Sequence, residues 1–192
     1  MSRCPHCRQQ YERKRMGQKS CESVPCAIAA GQARKAKEAA KKAKADRQTT
    51  KIRKEAAKPT TRLKAEAQSA FNAWIRHRDL SAGHPCICCG KPFEPQKPGG
   101  SVDAGHYLSR GSAPHLKFDE RNVFAQRKNC NRPGGATAAD FRLGVIGRIG
   151  IEAVEALEAD QTPRRYRPDD YRMVRDEYRA KLKELKATHD AM

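Results

Sequence analysis

Paired cysteines limit what this chain can fold into before any other feature does. Cys4, Cys7, Cys21 and Cys26 run C-x2-C, thirteen residues, then C-x4-C, and a second C-x2-C at Cys86 and Cys89 is followed by Cys130. Hydrophobic residues make up only 38% and aromatics 6% of the 192 residues, too little apolar surface for one large core. Small modules are expected instead, held by metal where packing is thin. The opening MSRCPHCRQQ has no apolar signal stretch, and nowhere is there the run of about 18 apolar residues that a membrane span needs. The expectation is therefore a cytoplasmic protein with no membrane partner, in a reducing compartment where close cysteine pairs are metal ligands rather than disulfides.

Each pair of the first four cysteines sits on a tight turn, and the loop between is long enough to bring the pairs into a tetrahedral four-thiolate zinc site. That defines a module over 1–30. From 31 to 66 the chain is Ala, Lys, Arg and Glu, with thirteen basic residues against four acidic ones. These are strong helix formers with almost no apolar stripe, which predicts a long exposed helix ending near Lys58, ahead of Pro59. It serves either as a basic arm along phosphates or as a solvated linker. Overall, 40 Lys and Arg against 22 Asp and Glu leave a charge of +18, which attracts a polyanion and favours DNA or RNA as partner.

The third module, 67–136, opens with an amphipathic helix over Leu63 to Leu80, whose Phe71 and Trp74 are expected to be core anchors. It then carries Asp103-Ala-Gly-His106-Tyr107, Arg121-Asn122-Val123 and Cys130-Asn131 in that order. Gly99-Gly100 marks a turn, Ser101 to Leu108 and Asn122 to Gln126 are strand-like, and Asn131 falls near the next helix start. This is the parts list of a ββα-metal (HNH) nuclease. A neutral imidazole at His106 can take a proton from the attacking water. Asn131 and Asp103 are the candidate oxygen ligands for a hard divalent cation, Mg2+ or Mn2+. Asn122 is expected to orient the imidazole. Arg110, Lys117 and Arg121 are placed to hold flanking phosphates, or form a solvated basic face. In the last module, 137–192, a helix over Thr137 to Asp160, weakened at Gly144, Gly147 and Gly150, which are candidate break points, and a helix from Asp169 or Asp170 onward are expected to fold back as a hairpin.

The ordered set of motifs, preceded by a cysteine finger and a basic helix and followed by Arg148-Ile-Gly and Glu152-Ala-Val, resembles the NinG/Rap family of lambdoid phage recombination endonucleases. Asp103-Ala-Gly-His106 also resembles the D-R-G-H motif of non-specific nucleases. The resemblance implies a structure-specific endonuclease that cuts branched recombination intermediates, Holliday junctions and D-loops among them. His106 would be the general base, Asn122 the central Asn of the HNH pattern and Asn131 in place of its final His. The chain departs from the family at Gln126-Arg127-Lys128-Asn129-Cys130, which keeps one cysteine of a pair. Cys86, Cys89 and Cys130 are thus a second zinc candidate set whose fourth ligand is Cys88, His84 or none. The expected architecture is α+β, and two-fold pairing is expected of an enzyme that cuts two strands symmetrically. Two rivals stand beside this reading: a non-catalytic zinc-finger nucleic-acid-binding protein, and an assembly or regulatory factor that recruits a partner through its C-terminal helices.

Overall fold

The computed structural model describes residues 1–190; the last two residues of the expected C-terminal module, 191–192, lie outside them. The fold is mixed helix and small sheet, and contacts divide it into two units at Lys58 and Pro59.

In the first unit β1 (Ser2–Arg3) pairs antiparallel with β2 (Gln10–Tyr11), and the turn between them carries Cys4 and Cys7. Helix α1 (Val24–Ala56) follows, with Cys26 in its first turn as the one buried residue among its 33. The helix therefore begins earlier than the basic tract does, because the last cysteine of the finger anchors its start. Beyond Cys26 it is sustained by Ala and straight-chain charged residues rather than by packing.

The second unit is built around α2 (Thr60–Ser81) and a two-stranded antiparallel sheet of β3 (Val102–His106) and β4 (Val123–Arg127). The apolar residues of α2 recur three and four apart, and Leu63, Ala67, Phe71 and Ile75 are buried with Phe118 and Val123. Asp79, near the end of α2, is also buried: its Oδ2 accepts the Ala125 amide at 2.6 Å, and Arg78 and Arg148 lie beside it. A buried carboxylate is tolerated because it is hydrogen-bonded and paired, and this one ties α2 to β4. On the other side of β4, Phe124 packs with Ile87, Phe141, Val145 and Val154.

The helical tail breaks at one of its expected glycines and departs from expectation in where its last helix packs. The stretch from Thr137 to Asp160 is two helices, α3 (Ala138–Ile149) and α4 (Ile151–Ala159), broken at Gly150 with φ +85°. The last helix, α5 (Pro168–Asp190), packs on α2 and makes no hairpin with α3 or α4. Its Tyr171 and Tyr178 are buried against the Phe71 cluster, with Tyr178 edge-on to Phe71 at 4.7 Å between centroids. Arg175, also buried, pairs with Glu66 of α2 at 3.0 Å. The apolar stripe of α2 was wider than one small sheet could cover, and α5 covers the remainder. No helix among the described residues is long and apolar enough to cross a membrane.

Candidate active site and cysteine centres

The register of the hairpin sets His106 opposite Val123 and Asp103 opposite Gln126. Alternation along β3 puts Ala104 and His106 on one face, and Ala104 packs against the α2 cluster, so His106 emerges beside that helix. A cavity of about 510 Å³ opens there, lined by Asp103, Ala104, His106, Ser109, Arg110, Gly111 and Asn131 and, from α2, Asn72 and Arg76.

The half-buried His106 ring is held through Nε2, 3.1 Å from the Lys117 carbonyl oxygen. A carbonyl only accepts, so Nε2 carries the proton and Nδ1 is the bare nitrogen. Burial lowers the imidazole pKa below its ordinary value of 6.5 and the Arg110 cation lowers it further, against the Lys117 bond, which raises it. The ring is neutral at neutral pH. Asn131 Nδ2 donates to Asp103 Oδ2 at 3.4 Å, so the amide and the carboxylate, each with a further oxygen, are neighbours in the cavity. The donor types, a carboxylate and an amide oxygen, fit Mg2+, which takes one or two protein oxygens and keeps waters or phosphate for the rest. Asn131 stands in a turn rather than on a helix, because Pro133-Gly134-Gly135 delays α3 until Thr137, whose hydroxyl and Asp140 form a capping box.

Three expected roles are displaced by the geometry. Asn122 does not touch the imidazole. It is fully buried, its Oδ1 accepts the Leu108 amide at 2.7 Å, and its Nδ2 donates to the carbonyls of Leu108 at 3.0 Å and Leu116 at 3.2 Å. It thereby pins the loop whose next carbonyl, that of Lys117, holds His106. Lys117 faces inward instead of toward phosphates: its Nζ donates to Tyr171 Oη at 2.9 Å and lies 4.1 Å from the Tyr166 ring centroid. Burial brings its pKa down to about 8. Arg121 is paired with Asp119 at 2.8 Å and lines a separate groove with His115 and Asp160. Arg110 alone of the three expected phosphate ligands reaches the His106 cavity. Asn72 and Arg76 were missed by sequence reasoning. Their signal was present, since they fall four apart on α2 on the face away from Phe71 and Ile75.

Away from the cavity, the sulfurs of Cys4, Cys7, Cys21 and Cys26 gather within 4.8 Å of one another, as do those of Cys86, Cys89 and Cys130. Each set could hold a structural metal such as zinc. The two turns are built alike: the Cys4 amide donates to Gln9 O and Arg8 N to Cys4 O, while the Cys86 amide donates to Lys91 O and Gly90 N to Cys86 O. The backbone N–H of Cys7 heads the interactions that lower Cys4 to about 6. For Cys86 the Cys88 thiol leads, followed by backbone amides including that of Arg127, and the pKa falls to about 4. These two shifts favour the thiolate that binds metal, while in the same clusters neighbouring thiols and burial push Cys26 and Cys130 up to about 12, because crowded sulfurs resist sharing so much negative charge. Cys88 is not in the second cluster; its sulfur accepts from Gln126 Nε2 at 3.0 Å. Neither is His84. Where a fourth cysteine is expected, Arg127 stands, and its guanidinium bonds Pro92 O at 2.8 Å and Glu94 at 3.1 Å, fastening the knuckle to β4.

No solved structure matches the chain. Among curated proteins it is similar to the ninG protein of Salmonella phage P22, at 40% identity over 136 residues, 71% of this chain and 64% of the relative. The ninG protein of Escherichia phage lambda is 39% identical over the same length, 71% of this chain and 63% of its own. The chain thus matches somewhat less than two thirds of the length of these relatives. The model of the family described as Bacteriophage Lambda NinG protein matches residues 1–188, and the chain belongs to the NinG family.

Proposed function

We propose that this chain is a metal-dependent DNA endonuclease with an HNH-type centre, akin to the Rap endonucleases, that hydrolyses phosphodiesters in branched recombination intermediates. The observation that carries the reading is one cavity in which a neutral imidazole, an adjacent carboxylate and amide, and two arginines converge. His106 Nδ1 takes the proton of a water attacking phosphorus, while Nε2 stays bound to the Lys117 carbonyl and the ring does not turn. Asp103 and the Asn131 oxygen would hold Mg2+ or Mn2+, which when bound neutralises charge on the phosphate. Arg110 adds a cation at the rim. Zinc at the cysteine clusters is structural in this account. The branched substrate and a two-fold partner are supported by the family resemblance, and nucleic acid in general by the charge of +18.

One feature favours a second reading. Helix α1 is long, basic and unburied past Cys26, as suits a protein that binds nucleic acid without cutting it. A labelled four-way junction and a matched linear duplex, each incubated with Mg2+, Mn2+ or EDTA, separate the two. Cutting of the junction that EDTA abolishes is expected. Binding without cutting under either metal would favour the non-catalytic reading, and equal cutting of both DNAs would remove the branch preference.

A further inference from the structure

The arginines of the second unit that are not fully exposed follow a rule with one exception. Arg78 pairs with Asp79 at 2.7 Å, Arg127 with Glu94 at 3.1 Å, Arg142 with Glu158 at 2.8 Å, Arg148 with Asp79 at 3.7 Å, Arg172 with Asp169 at 2.7 Å and Arg175 with Glu66 at 3.0 Å. Arg76 is half-buried like most of them, yet it has no carboxylate and no hydrogen-bond acceptor among the described residues. An arginine that no acidic side chain neutralises is left free to take an anion from outside the chain. Arg76 lines the His106 cavity, whose one carboxylate, Asp103, is engaged by Asn131.

The helix prepares its neighbour as well. Gln68, Asn72 and Arg76 fall at successive spacings of four along α2, a stripe that ends in the cavity. Gln68 Nε2 donates to Asn72 Oδ1 at 2.8 Å. That bond engages the Asn72 oxygen and leaves its NH2 group without a partner among the described residues, a donor like the guanidinium next to it. A half-buried unpaired arginine and an oriented amide donor on a rigid helix, facing a neutral imidazole, make an acceptor site for an anion with several oxygens.

We propose that Arg76 and Asn72 form a phosphate subsite for the DNA backbone, in which the Arg76 guanidinium takes two non-bridging oxygens of the phosphate that His106 faces. The proposal rests on the nucleic-acid reading above and adds to it the residues on α2 that fix the phosphate.

The test uses the full chain as wild type, Arg76→Gln, Arg76→Lys and His106→Ala. Binding to a four-way junction is measured in EDTA over a salt series, and single-turnover cleavage in Mg2+. Arg76→Gln is expected to flatten the salt dependence by about one phosphate contact and to slow cleavage about a hundredfold, with an unchanged melting temperature. Arg76→Lys, which keeps the charge but cannot form the two-pronged contact, is expected to keep the salt dependence and lose rate. Wild-type salt dependence in Arg76→Gln overturns the subsite, as does a wild-type rate in Arg76→Lys. If the wild type binds but never cuts, the nuclease reading fails by itself, and the salt series still decides whether Arg76 meets a phosphate. Absence of DNA binding by the wild type overturns both.

Discussion

His106 shows how one side chain comes to be usable at neutral pH. Its pKa is depressed first by burial and then by Arg110, so the ring loses its proton below 6.5 and remains a base above that point. Cleavage as a function of pH is accordingly expected to rise on the acid side with a midpoint below 6.5; a pH–rate profile centred at or above that value would contradict the assignment. A second residue carries strain. Arg8 has φ +61°, the one positive value among the non-glycine residues described, and it closes the first cysteine turn where Gly90, at φ +64°, closes the second. The left-handed region costs an ordinary L-residue about 1–2 kcal/mol, and glycine returns part of that through its freer unfolded chain. Arg8→Gly is expected to stabilise the zinc-loaded finger by roughly 0.5–1 kcal/mol, read as an upward shift in its thermal unfolding.

Among the elements, α3 lies so close on the second cysteine turn that a Cβ built on Gly144 would stand 1.8 Å from the Ile87 carbonyl oxygen. Backbone cannot yield as a flexible side chain can, and Gly144→Ala is expected to destabilise by about 1–3 kcal/mol in denaturant titration. Gly147 faces open space, and alanine there serves as the control. The loop between β3 and β4 depends on Asn122 in the same way: Asn122→Ala leaves the Leu108 amide and carbonyl unmet beside a buried position, and a loss of about 3 kcal/mol is expected together with a fall in cleavage. The helices and strands themselves were largely legible, since α2, β3 and β4 follow apolar periodicity and α1 follows composition. The partner of α5 was not. Its stripe of Tyr171, Val174 and Tyr178 states that a face is buried, but periodicity carries no record of which surface covers it. Likewise the order of His106, Asn122 and Asn131 was readable, whereas the inward turn of Lys117 depends on Tyr166 and Tyr171, about fifty residues further along the chain.

At the scale of the whole molecule, apolar packing and cysteine centres divide the work of holding the chain. The second unit has aromatic and aliphatic clusters on both sides of β4, whereas in the first unit only Cys4 and Cys26 are buried hydrophobic positions. Stripping metal with a strong chelator is therefore expected to unfold the first finger while the second unit keeps its melting transition, because a metal held by Cys4, Cys7, Cys21 and Cys26 would replace a core rather than reinforce one. The NinG family assignment covers both units. The proposed chemistry rests on hydrolysis in the His106 cavity. The most direct test is single-turnover cleavage of a four-way junction in Mg2+ by His106→Ala beside the wild type, with DNA binding measured in parallel. The variant is expected to bind as the wild type does and to cut at least about a hundredfold more slowly; cutting at the wild-type rate would rule out His106 as the base.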